Sequence, residues 1–406
     1  MPLTYSSAAA QGFSRLLNLY RTYDTPHETK YLFDDNFWFA GNALHAMVDY
    51  LLNAELPNKK DLTEQVLTMG FGAYKKYSRE FTSRDWWRDD YAWWGNAFLL
   101  ILHNRRSLDL SQERFDQIHT SAKFCWGKLT ENWHDGPYGD KDNAAGSNSN
   151  VKGGVFNIPY KEETPENMKG RNSVTNEGYW LLSQGLGKLQ PEPKNNYSDA
   201  ATKMQAWFDK WLDPKNPSFK EPGLRDPRGL VLERPMGNKA DPAWCWTGDQ
   251  GLLFRALTNV GKETAGAIAK AAFDNLSDQK RILHEYLPAG RSDFDVDYAT
   301  GKGIFLRNLI CAGVKTSNCP YAVDIKSNAN AVWLNRLNRK TNQFSYNWAG
   351  AKEPENWAGA KEPEPLQLFA HGTKSQDLCD LVMQASGLDA LNAAMLIAPS
   401  ETIPNS

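Results

Sequence analysis

The chain carries 406 residues with 46 Lys and Arg against 48 Asp and Glu, a net charge of −2. Its 41% hydrophobic content rises to about 48% once the 30 Gly are counted, inside the roughly 45–50% of ordinary globular proteins, which excludes disordered and fibrous architectures. With no basic block, nothing supplies the electrostatic footprint of a nucleic-acid or acidic-lipid binder, and no window approaches the roughly 18 consecutive apolar residues of a membrane span.

The opening MPLTYSSAAAQGFSRLLNLY lacks a charged stretch followed by an apolar core and reads as a first helix. Apolar residues recur at helical spacing through most of the chain, Phe37, Leu44, Met47, Val48, Leu51 and Leu52 forming one such stripe. The spacing predicts helices near 6–22, 36–54, 62–81, 89–104, 113–132, 172–188, 197–212, 246–259, 263–285, 302–312, 325–338 and 376–396, with strand-like alternation scarce. A dozen helices without a compositional break predict one all-α domain over 1–406, and paired helices in a ring bury that many amphipathic faces economically. Residues 134–170 and 213–243 are long for helix connections and are expected to wall a cleft at one end of the ring. A tandem repeat, NWAGAKEPE at 347–355 and again at 356–364, is too short for a solenoid unit and reads as a duplicated loop.

Five cysteines without CxxC spacing read mostly as buried thiols, although Cys311 and Cys319 bracket a loop short enough to be bridged in an oxidising compartment. The seven histidines show no HxxH or HExxH spacing, so no metal site is expected, and no glycine-rich phosphate cradle signals a cofactor. No GxSxG elbow occurs. What stands out is RDWWRDDYAWWGNAF at 84–98. Asp89 and Asp90 open a helical run there between Trp86, Trp87, Trp93 and Trp94, and each acid lies one turn from a tryptophan. Desolvation and mutual repulsion would keep one carboxyl protonated and the other ionised, an acid beside a nucleophile. Two acids at a helix start also complement the macrodipole, and for the second pair, Asp34 and Asp35, that capping reading suffices. The 15 Trp, several beside Asp, Asn or Arg, suit a site that stacks sugar rings and pairs their hydroxyls, or simply a large helical core.

The pattern Arg88-Asp89-Asp90 followed by Trp93-Trp94 resembles the catalytic signature of glycoside hydrolase family 76, the α-1,6-mannanases. Further segments agree in order: Gly153-Gly154-Val155-Phe156, Arg171 to Glu177, Thr247-Gly248-Asp249-Gln250-Gly251, and Gly301 to Arg307 (GKGIFLR). The departures are Arg88 for a usual Tyr, Asn157 near a common Trp, and Gly248-Asp249 for Tyr-Asn. The resemblance, spanning roughly 30–397, implies an (α/α)6 barrel and a retaining hydrolase of α-mannosidic linkages. By the family's roles Asp89 would be the nucleophile and Asp90 the acid and base, about 5–5.5 Å apart as double displacement requires. Trp86, Trp87, Trp93 and Trp94 would stack on sugars or keep the carboxyls dry, and Asn172, Asn176, Asp249, Gln250 and Arg307 are candidate hydroxyl contacts. Each of these has a structural alternative: the two asparagines as caps or core amides, Gln250 as a tie between loops, Arg307 as partner of a buried acid. The expected partner is an oligo- or polysaccharide met by a monomer without cofactor, and family habit suggests export. The alternatives are transglycosylation through the same covalent intermediate, a related barrel acting on unsaturated uronides, which would want more basic residues than Arg84 and Arg88, and a non-catalytic glycan binder.

Overall fold

The computed structural model describes residues 3–22, 37–135, 153–158, 171–189, 196–213, 224–233, 245–285, 299–311, 319–350 and 376–404. Among them are twelve helices: α1 (Tyr5–Thr22), α2 (Phe37–Asn53), α3 (Lys59–Tyr77), α4 (Arg88–His103), α5 (Gln112–Glu131), α6 (Ser173–Leu189), α7 (Asn196–Leu212), α8 (Thr247–Thr258), α9 (Thr264–Asn275), α10 (Gly301–Cys311), α11 (Ala322–Leu334) and α12 (Gln376–Ile397). All twelve answer to segments expected from periodicity. The largest departure is α9, which stops ten residues short of the expected end. There the Asp278 carboxylate accepts from the backbone N–H groups of Lys280 and Ile282 and closes a tight turn instead of another helical turn. The pair Asp34-Asp35, most of the loops 134–170 and 213–243, and the repeat beyond Gly350 lie outside the described residues. Cys125, Cys245 and Cys319 are buried thiols.

The helices alternate between two rings. Successive neighbours α2, α4, α6, α8, α10 and α12 pack side by side, and α12 returns to α2, so the inner ring closes. Outside it α3 lies on α2, α5 on α4, α7 on α6 and α9 on α8, while α11 and α1 both lie on α12. The architecture is an (α/α)6 barrel. Sequence decides which ring a helix joins: α7 buries only Ala200, Met204, Trp207, Phe208 and Trp211, one stripe at helical spacing, whereas α6 buries nearly every residue from Ser173 to Leu186. Glycines bring the inner helices together. A Cβ on Gly178 would stand 2.6 Å from the Ala92 Cβ of α4, and one on Gly251 would stand 2.6 Å from the Phe305 Cα of α10.

Each of four outer helices is followed by an isolated antiparallel bridge, Trp133 with Val155, Arg225 with Val231, Ser277 with Leu283, and Asn338 with Gln343. A buried side-chain amide then clamps the returning strand. Asn176 Oδ1 accepts from the Val155 N–H at 2.8 Å while its Nδ2 donates to the Val155 carbonyl at 3.1 Å. Gln250 holds Val231 in the same two-way manner, both contacts at 2.8 Å. Asn328 accepts from the Leu283 N–H at 2.8 Å, and Gln384 from Phe344 at 3.2 Å. Backbone groups that have no sheet to enter are thereby satisfied inside the protein.

Candidate functional site

Trp87 precedes α4, and the first turn carries Asp89 and Asp90, where unpaired N–H groups and the positive end of the helix dipole favour carboxylates. Asp90 is 5% exposed, and its Oδ1 accepts from the Trp38 backbone N–H at 3.0 Å, in the first turn of α2. Asp89 is partly exposed. Its own N–H donates to Asn157 Oδ1 at 2.9 Å, and its Oδ1 accepts from the Asp90 N–H at 3.1 Å. Two helix N-termini and the segment 153–158 therefore hold the pair. That segment turns through Gly153 and Gly154 at φ of 81° and 98°, the left-handed region that glycine alone enters freely, and this brings Asn157 to α4.

The four tryptophans around the pair separate into two kinds. Trp94 is fully buried, gives its indole N–H to the Phe37 carbonyl at 3.0 Å and stacks on the Phe37 ring. Trp86 is buried too, its indole bound to the Tyr77 carbonyl at 2.7 Å under the Arg84 guanidinium. Trp93, 6% exposed, stacks on Trp38 and meets Trp246 edge-on, which makes an aromatic wall beside Asp90. Trp87 is 44% exposed and presents a ring to solvent immediately before Asp89. The departures from the family pattern have local reasons. Arg88 turns inward to the Trp86 carbonyl at 2.9 Å and the Asp85 carboxylate at 3.3 Å. Gly248 leaves room for the Trp246 indole, whose ring a Cβ there would strike.

Of the polar candidates, Asn176 and Gln250 commit their amides to the clamps and have no exposed surface. Asn172 stands partly exposed ahead of α6, its Oδ1 accepting from the Thr175 hydroxyl at 2.5 Å. Arg307 lies in the inner ring between Asp389, at 3.2 Å, and Asn42 Oδ1, at 2.6 Å, with its guanidinium carbon 5.9 Å from the centre of the Trp93 ring. Asp249, in the first turn of α8, is fully buried, and neither carboxyl oxygen is hydrogen-bonded among the described residues.

Sequence reading missed a set of acids around Asp249. Glu177 on α6 is fully buried, and among the described residues neither of its oxygens has a hydrogen-bond partner either. Burial, then the charge of Asp249, holds its carboxyl well above the ordinary range; burial, then Glu233, Glu285 and Asp89, does the same to Asp249. Glu285 accepts from the Thr247 N–H at 3.1 Å and from its hydroxyl. Three of the polar positions at this end share one place in the repeat of the barrel. Asn157, Glu233 and Glu285 each stand two residues after a bridge residue, in the triplets Val155-Phe156-Asn157, Val231-Leu232-Glu233 and Leu283-His284-Glu285. The repeat of the barrel thus delivers a polar side chain toward an inner-helix N-terminus after successive outer helices.

No protein-family model matches the chain, and no curated protein matches it. Solved structures do. The chain is similar to the family 76 α-1,6-mannanase of Salegentibacter sp. HEL1_6, with a TM-score of 0.63 at 16% identity, over 97% of this chain and 99% of that one. An inactive variant of that enzyme, with two consecutive aspartates replaced by asparagine, has been captured with α-1,6-mannotriose. A family 76 α-mannanase of Bacteroides thetaiotaomicron matches with a TM-score of 0.60 at 11% identity, over 95% of both chains. An unsaturated glucuronyl hydrolase specific for heparin matches at 0.51 and 12% identity, over 96% of both.

Proposed function

We propose that the protein is a retaining glycoside hydrolase of α-mannosidic linkages, with the whole chain forming one catalytic domain. The observation that carries this is the placement of Asp89 and Asp90 at the N-terminus of inner helix α4, facing the N-termini of α2 and α8, in the fold of a mannanase that is inactive when two consecutive aspartates are both replaced by asparagine. Asp89, the more accessible of the two, attacks the anomeric carbon; Asp90 protonates the leaving oxygen and then activates water. Trp87 stacks on a sugar ring next to the cleavage point, the Trp38–Trp93–Trp246 wall excludes water, and Asn172 is placed for a hydroxyl. The uronide reading is not favoured: Arg88 is spent on Asp85 and Arg84 on the Trp86 ring, while acids surround Asp249.

Asp89→Asn should lower turnover of every α-mannoside on the order of 10³-fold or more, with folding retained. Asp90→Asn should lose about 10²–10⁴-fold on α-1,6-mannooligosaccharides but far less on an aryl mannoside whose leaving group needs no proton, and a burst should appear. Wild-type rates in both variants, or glycan binding without turnover by the wild type, would sink the assignment. Lengthened oligosaccharides among the products would identify the transglycosylating form of the same mechanism.

A further inference from the structure

Asn157 is 7% exposed, and its Oδ1 takes the Asp89 N–H at 2.9 Å in the first turn of α4. The backbone on either side of it is tied down. Asn176 binds Val155 two ways, and Asn132, at the end of α5, accepts from the Phe156 N–H at 3.1 Å while its Nδ2 donates to the carbonyls of Phe156 and Ile158 at 3.2 and 2.7 Å. Asn157 therefore reaches α4 from a fixed support.

The corresponding residues farther along the chain meet inner helices in the same way. The Glu233 carbonyl accepts from the Ser173 N–H of α6 at 2.6 Å, and the Glu285 carboxylate from the Thr247 N–H of α8 at 3.1 Å. A carboxylate caps a helix N-terminus at least as well as an amide, because its charge also suits the dipole. Capping alone thus does not call for asparagine beside Asp89. An amide differs in two respects: it sets no negative charge next to the carboxylate that must attack, and with Oδ1 committed as acceptor it still has a donor. The Asp89 N–H can be met only by the oxygen, so the partner itself decides which end of the amide is which. No acceptor for the Nδ2 stands among the described residues, and the amide meets α4 at the partly exposed member of the acid pair, two positions after the exposed Trp87.

Resting on the reading of Asp89 as the nucleophile of a mannosidase, we propose that Asn157 is a further substrate-contacting residue, which holds the Asp89 peptide with Oδ1 and donates from Nδ2 to the hydroxyl at C2 of the sugar under attack. That hydroxyl is the one beside the anomeric carbon, which Asp89 must approach to about 3–3.5 Å. Hydrogen bonds to it strengthen as the oxocarbenium-like transition state forms, so the amide raises the rate as well as selecting the sugar.

The contact is tested by kcat/KM on an aryl α-mannoside and on its 2-deoxy analogue. Asn157→Ala removes cap and donor together. It should melt below the wild type and lose on the order of 10²-fold on the mannoside, but roughly tenfold or less on the 2-deoxy analogue, where the donor has nothing to bind. A residue that only caps α4 would lower melting and both rates alike, and equal losses on the two substrates would overturn the proposal. If Asn157→Ala does not fold, a crystal structure of Asp89→Asn with α-1,6-mannotriose decides. The C2 hydroxyl at the cleavage point should lie within about 3.2 Å of Asn157 Nδ2, and a bound sugar that turns this hydroxyl to other groups would discard the contact. A wild type that splits neither glycoside refutes the mannosidase reading and the contact with it, whereas equal losses in an active enzyme strike the contact alone.

Discussion

Asn176 and Gln250 bind backbone with every amide contact they make, and this separates a structural role from a sugar-binding one. Gln250 Nε2 donates to the carbonyls of both Val231 and Trp246, at 2.8 and 3.1 Å. Gln250→Ala leaves the buried Val231 N–H and carbonyl unpaired and should cost about 2–4 kcal/mol of stability at those two groups. A lowered melting temperature with KM little changed in the surviving folded protein would mark the clamp; a raised KM with unchanged melting would contradict it. The buried acids give a second prediction at this scale. In the fold Asp249 and Glu177 keep protons that the unfolded chain releases near its ordinary values of 3.8 and 4.5, so the native state binds more protons above about pH 4. Stability from these groups is therefore full at acid pH and declines as pH rises. Asp389 adds to the same slope, its pKa pushed up to about 7 by burial against the pull of Arg307. In thermal melts at pH 5 and pH 8, the difference between Asp249→Asn and wild type should move in the variant's favour at pH 8 by a few degrees. Parallel pH dependence of both proteins would refute it.

Helix pairs inside the ring approach through glycines that sequence alone did not distinguish from loop glycines. Gly178 faces Ala92, whose single methyl has nowhere to rotate, so Gly178→Ala sets two Cβ atoms 2.6 Å apart unless α4 and α6 separate. The gain in helix propensity, about 1 kcal/mol, works against an overpacking penalty of roughly 1–3 kcal/mol. Overpacking should win, because the neighbour is no flexible side-chain end. Gly251→Ala should be worse, since the Phe305 backbone itself stands 2.6 Å from the new Cβ. Chemical denaturation should rank the proteins wild type, Gly178→Ala, Gly251→Ala in falling stability, and a Gly251→Ala as stable as wild type would refute the close approach of α8 and α10. The same two seams carry Asp89, Glu177 and Asp249, so these variants should also lower activity without touching a carboxyl.

At the scale of the molecule the charges nearly cancel, 46 against 48, yet the described acids of the site are gathered at one end of the inner ring. A neutral glycan should bind there with little dependence on ionic strength, whereas an oligosaccharide bearing uronic acids should bind poorly and improve with salt. Inhibition constants measured at low and high salt would check this, and preference for the uronide would contradict it. Helix number, order and approximate bounds were legible in the sequence because each helix needs only a local apolar stripe, and periodicity records that directly. The Asp89-Asp90 pair was legible for the same reason: adjacent acids in one first turn stay together however the chain folds. Glu177, Glu233 and Glu285 became neighbours of Asp249 only through ring closure, and Trp94 and Trp87 differ in exposure only because one faces Phe37 and the other faces water. The sequence by itself determined what is local along the chain. Tertiary structure decided which side chains are desolvated and which charges meet, because burial and Coulomb interactions depend on distances in space that no spacing along the chain encodes.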